Sequence, residues 1–175
     1  MKIAAHIEYR PAYPDDIERL IVLLHQVYIQ TYAIDGITHE FTEFINQRFS
    51  KSYLNESISH NPNQFIVAYY KNNPVGITEI LLNRACPGLQ KELPELSKLY
   101  VLERFTGTGV GFGLLQQAEL KLKTEGFNEL WLEVWQENPR ARTFYERQGF
   151  SVIGESLFPM SENTYHNFVM HKVLY

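Results

Sequence analysis

"ERFTGTGVGFGLLQQAEL", residues 103–120, places Gly107, Gly109, Gly111 and Gly113 at every second position and then runs into a stretch with helical spacing. Each glycine inside a helix costs about 1 kcal/mol relative to alanine, because its backbone has more freedom to lose. Four of them around one helix start mark a backbone that something approaches closely. A strand that ends in such a loop and continues into a helix also gathers unpaired N–H groups at the positive end of the helix dipole. That arrangement binds phosphates. A dinucleotide fingerprint, GxGxxG, fails here: counted from Gly107 the sixth residue is Phe112, and counted from Gly109 it is Leu114. A P-loop needs a lysine after its last glycine, and none follows. What remains is a pyrophosphate held by consecutive backbone amides.

Outward from this stretch the chain reads as alternating helices and strands. Pro14, Asp15 and Asp16 open a helix on which Ile17, Leu20, Ile21, Leu24, Tyr28 and Tyr32 recur at helical spacing. Residues 38–60 are more polar and break near Ser50, which predicts two short helices. "QFIVAYY" and "VGITEILLN" flank "KNNP" and predict a hairpin. "RACPGLQKELPE" is expected to be a loop and "LSKLYVLE" a strand. The glycine stretch leads to a helix with Val110, Leu114, Leu115, Ala118 and Leu122 on one face. "ELWLEVWQ" is a strand that alternates Leu130, Leu132 and Val134 with Trp131, Glu133 and Trp135. "NPRARTFYERQG" is a helix with Pro139 just inside its start and Gly149 just past its end. "FSVIGESLF" and "TYHNFVMHKVL" predict a closing hairpin. The order predicts an α/β fold with a mixed sheet.

Length and composition bound the function. The 175 residues, 45% hydrophobic, are expected to form one domain, 1–175. No apolar run is long enough for a membrane span, and "MKIAAHIEYR" lacks the apolar core of a signal peptide, so a cytoplasmic protein is expected. A net charge of −4 argues against general binding to nucleic acid or anionic membranes and is compatible with a cationic partner. Cys86 is the only cysteine and the histidines show no HxxxH spacing, so neither a disulfide nor a metal is expected.

"LYVLERFTGTGVGFGLL" followed by "LWLEVWQENPRARTFYERQGF" resembles the GCN5-related N-acetyltransferase (GNAT) family, whose acetyl-CoA loop has the pattern Q/R-x-x-G-x-G/A. The chain looks most like the bacterial polyamine acetyltransferase type, through "LEVWQENPRARTFYERQGF", the tail "GESLFPMSENTYHNFVMHKVL" and "YIQTY" near the N-terminus. The resemblance is strongest from about Leu96 to the C-terminus. It departs at the motif's first position, where Thr106 replaces Gln or Arg, while Gly109 and Gly111 hold its two glycine positions. Gly113 replaces a position that is often larger, which is expected to loosen the helix start.

The resemblance implies a mostly antiparallel sheet flanked by helices and splayed at the acetyl-CoA site. It implies that Leu99, Tyr100 and Val101 lie beside the pantetheine arm of the cofactor, acetyl-CoA. Thr106, Gly107, Thr108, Gly109, Val110, Gly111 and Phe112 would hold the pyrophosphate, the Thr106 hydroxyl meeting a phosphate oxygen. Arg104, Arg140 and Arg142 are candidates for charge-assisted phosphate contacts. Asn138 reads from its position as a helix N-cap, and the resemblance adds a bond to the cofactor. Tyr145, two turns further along the same face, is implied to protonate the departing thiolate.

An ammonium must lose its proton before it can attack a thioester, so a base is needed. Glu79 is the preferred candidate, with Glu95 and Glu103 as rivals. A backbone N–H from Tyr100 or Val101 would face the carbonyl oxygen that turns negative. Tyr28 and Tyr32, with Asp35, Glu40 and Glu43, could form an aromatic and acidic rim that attracts an ammonium; inward packing of the tyrosines is the alternative. The expected partner is a small-molecule amine, with a polyamine as first candidate, and the resemblance implies a homodimer through the C-terminal strands. Two rival functions stand beside this one: acetylation of a protein N-terminus or lysine, and a non-catalytic acyl-CoA-binding module that regulates a partner.

Overall fold

A computed structural model describes residues 6–61 and 64–175. In chain order the elements are β1 (Ile7–Pro11), a 3-10 turn (Pro14–Asp16), α1 (Ile17–Tyr32), α2 (His39–Arg48), α3 (Lys51–His60), β2 (Phe65–Tyr70), β3 (Asn73–Cys86) and β4 (Lys91–Val101). A second 3-10 turn (Glu103–Phe105) follows, then α4 (Val110–Thr124), β5 (Glu129–Trp135), α5 (Pro139–Arg147), β6 (Ser151–Pro159) and β7 (Thr164–Val173). The seven strands hydrogen-bond in the order β1-β2-β3-β4-β5-β7-β6. β1 with β2, β2 with β3, β5 with β7 and β6 with β7 pair antiparallel, while β4 and β5 run parallel with Glu95 opposite Trp131. This is the mixed sheet that the element order predicts, mostly antiparallel as the family resemblance implies.

Two differences from the sequence reading have local causes. β1 was not anticipated, because "IEYRP" is short and ends in proline; it pairs only with β2, as the edge strand where proline is tolerated. The expected loop from Arg84 to Glu95 is mostly strand, and only residues 87–90 turn. Pro94, a residue that argues against a strand, falls inside β4. The hairpin at "KNNP" turns at Lys71 and Asn72, both with positive φ (49° and 62°), with Tyr70 opposite Asn73. Positive φ at both central residues makes this the type I′ turn that matches strand twist.

The chain falls into two compact units, Met1–Glu79 with Lys98–Ala118, and Ile80–Ser97 with Glu119–Tyr175. In the first, α1 buries Ile17, Leu20, Leu23, Leu24, Val27 and Tyr28. They pack with Phe41, Phe49, Leu54 and Ile58 from the helical region and with Phe65, Val67 and Ile77 from the strands. α2 and α3 are separate because Ser50 caps the second: its hydroxyl accepts from the Tyr53 N–H at 3.2 Å, as Thr38 accepts from Phe41 at the head of α2. At the start of α1, Asp16 takes Arg10 in a two-point contact (2.8 and 3.2 Å), Arg19 (2.7 Å) and the Tyr13 N–H (3.0 Å). Burial alone would raise the Asp16 carboxyl, but the bonds from Arg10 and the Tyr13 N–H outweigh it and pull the pKa down to about 2.

In the second unit, Leu130, Leu132 and Val134 are buried on one face of β5 and Trp131 on the other. Trp131 packs with Cys86 and Val169, and burial pushes the Cys86 thiol up, as expected of an inert thiol. Among the described residues no helix is long and apolar enough to cross a membrane.

Candidate active site

The first unit holds the glycine loop, and the structure divides its glycines by task. Gly107 and Gly109 have φ of 72° and 96°, where a side chain would be strained. A Cβ built on Gly107 would meet nothing within 4 Å, so that glycine is required by its conformation and leaves open space above it. Gly113 has a different reason: a Cβ there would lie 2.0 Å from Tyr9 Oη and 2.4 Å from Cζ. The phenol ring of Tyr9 takes that place. Far from being loosened, the first turn of α4 is packed against an aromatic ring.

The two threonines of the loop are turned inward. Thr106 donates both its backbone N–H (3.0 Å) and its hydroxyl (2.7 Å) to the Glu103 carbonyl. Thr108 donates its hydroxyl to the Phe105 carbonyl at 2.6 Å. The expected meeting of the Thr106 hydroxyl with a phosphate is therefore corrected, since its one proton already closes the turn. Thr106 and Thr108 tie the loop to the preceding 3-10 turn, and the first N–H groups of α4 have no partner inside the helix. Left-handed glycines, open space over Gly107 and the head of a 15-residue helix fit the pyrophosphate of coenzyme A.

Glu79 is fully buried and has a different role from the one expected. Its Oε1 accepts from Tyr53 Oη (3.2 Å) and Gln64 Nε2 (2.9 Å); its Oε2 is bonded by Arg48 Nη2 (3.3 Å) and Lys98 Nζ. Two cations and two neutral donors fill the carboxylate's acceptor sites. Such a group cannot take a proton from an incoming ammonium, so its assignment as general base is corrected to that of a buried ion-pair centre. The sequence carried a signal for the partner: in "LSKLY" the period of two puts Lys98 on the same face as buried Leu96. Of the rivals, Glu95 pairs with Arg84 at 3.3 Å, and Glu103 is exposed, 3.4 Å from the Thr106 hydroxyl.

Tyr28 is also corrected, to the inward-packed alternative. It is buried, with ring centroids 4.4 Å from Tyr32, 5.3 Å from Phe41, Phe44 and Phe49, and 6.3 Å from Tyr100. Tyr32 is half-buried, and burial raises the phenols of Tyr32 and Tyr100, so both are neutral at physiological pH. Glu40 is buried as well, which leaves Asp35 and Glu43 as the exposed carboxylates of the expected rim. Leu99, Tyr100 and Val101 form the last residues of β4, each half-buried.

In the second unit, Asn138 caps α5: its Oδ1 accepts from the Ala141 N–H at 3.0 Å. The other end of α5 is closed by a Schellman motif. The Gly149 N–H donates to Glu146 and the Phe150 N–H to Tyr145, both at 3.1 Å, with Gly149 at φ 88°. The motif's hydrophobic contact is Tyr145 against Phe150, centroids 5.6 Å apart, and Phe144 lies 5.2 Å from Tyr145. Tyr145 is thus buried and fixed by its own carbonyl and two rings. Arg142 donates Nε to Glu146 (2.8 Å) and stands 4.6 Å over the Phe168 ring, which fixes its position while leaving it half-exposed.

Comparison with known proteins supplies the chemistry. The chain is 32% identical over 154 residues, 83% of its length and 89% of the relative's, to a spermidine N(1)-acetyltransferase of Thermoplasma acidophilum. It is 22% identical over 163 residues, 91% of the chain and 92% of the relative, to an uncharacterised N-acetyltransferase of Lactobacillus delbrueckii subsp. lactis. Its fold matches the PaiA N-acetyltransferase of Thermoplasma acidophilum, solved in complex with coenzyme A, with a TM-score of 0.78 and 25% identity, over 95% of this chain and 98% of that one. The acetyltransferase (GNAT) family matches residues 4–150, most of the chain, which therefore belongs to that family and is an N-acetyltransferase dependent on acetyl-CoA.

Proposed function

We propose that the chain, acting as one acetyltransferase domain, moves an acetyl group from acetyl-CoA directly to a primary amine of a small molecule, with a polyamine of the spermidine class as acceptor. The observation that carries this reading is the 32% identity to a spermidine acetyltransferase over most of both chains. Acetyl-CoA supplies the activated acyl group as a thioester. Backbone N–H groups of Gly107 to Phe112 hold the pyrophosphate, with the Thr106 and Thr108 hydroxyls keeping the loop in shape. The strand Leu99 to Val101 lies along the pantetheine arm, and a backbone N–H of Tyr100 or Val101 meets the carbonyl oxygen as it gains charge. Asn138 has a donor amide left for the cofactor beyond its cap, and Arg142 offers its remaining guanidinium N–H groups to a phosphate. Tyr145 gives its proton to the departing sulfur. Tyr32 contributes to the acceptor side; Glu79 and Tyr28 act through the packing beneath it.

Free-thiol release from acetyl-CoA, measured against polyamines, amino acids, aminoglycosides and short peptides for wild type and Tyr145→Phe, tests the reading. Turnover is expected with polyamines. General acid catalysis contributes about 10²–10⁴-fold, and a thiol with a pKa near 8.5 leaves readily, so kcat should fall by at most about 10²-fold in the variant. Turnover confined to peptides would replace a small amine with a protein substrate.

A further inference from the structure

The glycine loop is shaped from one side by a residue outside it. Tyr9, on edge strand β1, pushes its phenol into the space that a side chain at 113 would need, 2.0 Å from the position of that Cβ, and donates its hydroxyl to the Val110 carbonyl at 3.5 Å. Val110 and Gly113 are the first and fourth residues of α4, so one ring touches both ends of the helix's first turn. That turn carries the N–H groups of Gly111 and Phe112, which have no partner within the helix. A glycine at the fourth position of α4 costs helix stability and gains no special φ, since it lies in helical backbone; what it permits is the ring. β1 is in turn held through antiparallel pairing to β2, with Tyr9 opposite Ala68.

We propose that Tyr9 is a positioning residue for the cofactor: wedged against Gly113, it sets the direction of the first turn of α4 and hence the aim of the amides that receive the pyrophosphate. The proposal rests on the reading of the glycine loop as the pyrophosphate site. It makes Tyr9 and Gly113 a coupled pair, whose effects on cofactor affinity do not add.

Isothermal titration with coenzyme A, together with kcat and the KM for acetyl-CoA and for the amine, would be measured for Gly113→Ala, Tyr9→Ala, the double variant, Tyr9→Phe and Gly109→Ala. The methyl of Gly113→Ala collides with the ring, so the dissociation constant and the KM for acetyl-CoA should rise at least about tenfold, with kcat and the amine KM little changed. Tyr9→Ala should weaken binding less, and the double variant should bind like Tyr9→Ala alone, since the methyl then has room. Tyr9→Phe keeps the wedge and should restore near-normal affinity. Wild-type affinity in Gly113→Ala, or losses in the double variant that add, would overturn the proposal. Should Gly113→Ala fail to fold, Tyr9→Ala against Tyr9→Phe decides: equal affinity overturns it. Gly109→Ala separates the two readings. Weakened binding there, with Gly113→Ala and Tyr9→Ala unaffected, removes Tyr9 and leaves the loop; unaffected binding in Gly109→Ala removes the loop reading and the proposal with it.

Discussion

Glu79 is where residue chemistry and residue position part company. As a strand glutamate facing a cleft it could be a base; as a carboxylate with four donors around it, two of them cationic, it is a structural anion. Removing its charge would leave the buried Lys98 ammonium and the half-buried Arg48 guanidinium facing a neutral amide, and breaking a buried pair costs about 3–5 kcal/mol. Glu79→Gln should therefore lose stability on that order in urea unfolding, while the protein that remains folded keeps its pH–rate profile. A displaced acidic limb in that profile would return Glu79 to the chemistry. Tyr28 teaches the same lesson in apolar form. Helical spacing put it on a face with Leu24 and Tyr32, and from spacing alone a rim and a core were equally open. Five aromatic neighbours on α1, α2, β4 and the segment after α2 decide for the core, and none is within three residues of it in sequence.

At the scale of single elements the sequence was most legible where an end carries its own chemistry. α5 could be read complete: Asn138 at the cap, Pro139 at the first position and Gly149 beyond the last turn are local requirements of helix geometry. Asn138→Ala should destabilise by about 1 kcal/mol through the cap alone, and a larger loss of coenzyme A affinity than that accounts for would mark the second role. α1 begins on a charged device instead. Asp16 has its pKa lowered from 3.8 to about 2 in the folded protein, so the folded state favours the ionised form. The stabilisation, about 2 kcal/mol, is fully present above the unfolded value and is lost as pH falls through 3.8 towards 2. Unfolding midpoints measured down that range should fall more steeply for wild type than for Asp16→Asn. β1 and the first half of β4 were illegible for a related reason: each contains a proline, which argues against a strand until the pairing that accommodates it is known.

For the whole molecule, cofactor binding links the site to stability. Coenzyme A at 100 times its dissociation constant should add about 2.7 kcal/mol, which for a chain of this size corresponds to roughly 5–10 °C in Tm. A thermal scan with and without coenzyme A measures it, and no shift at saturation would remove the cofactor site as placed. By itself the sequence determined the order of the elements after β1, the glycine-rich entry to α4 at residues 107–113 and the cap and stop of α5. These depend on backbone conformation and hydrogen bonds within a few residues, and both are written locally. Only the tertiary structure decided that Gly113 exists for Tyr9, that Lys98 and Arg48 hold Glu79, and that Tyr28 belongs to the core. The first two depend on residues 19 to 104 positions apart and the third on rings as far away as Tyr100, 72 positions on, and burial by distant neighbours leaves no mark on the spacing of the residue buried.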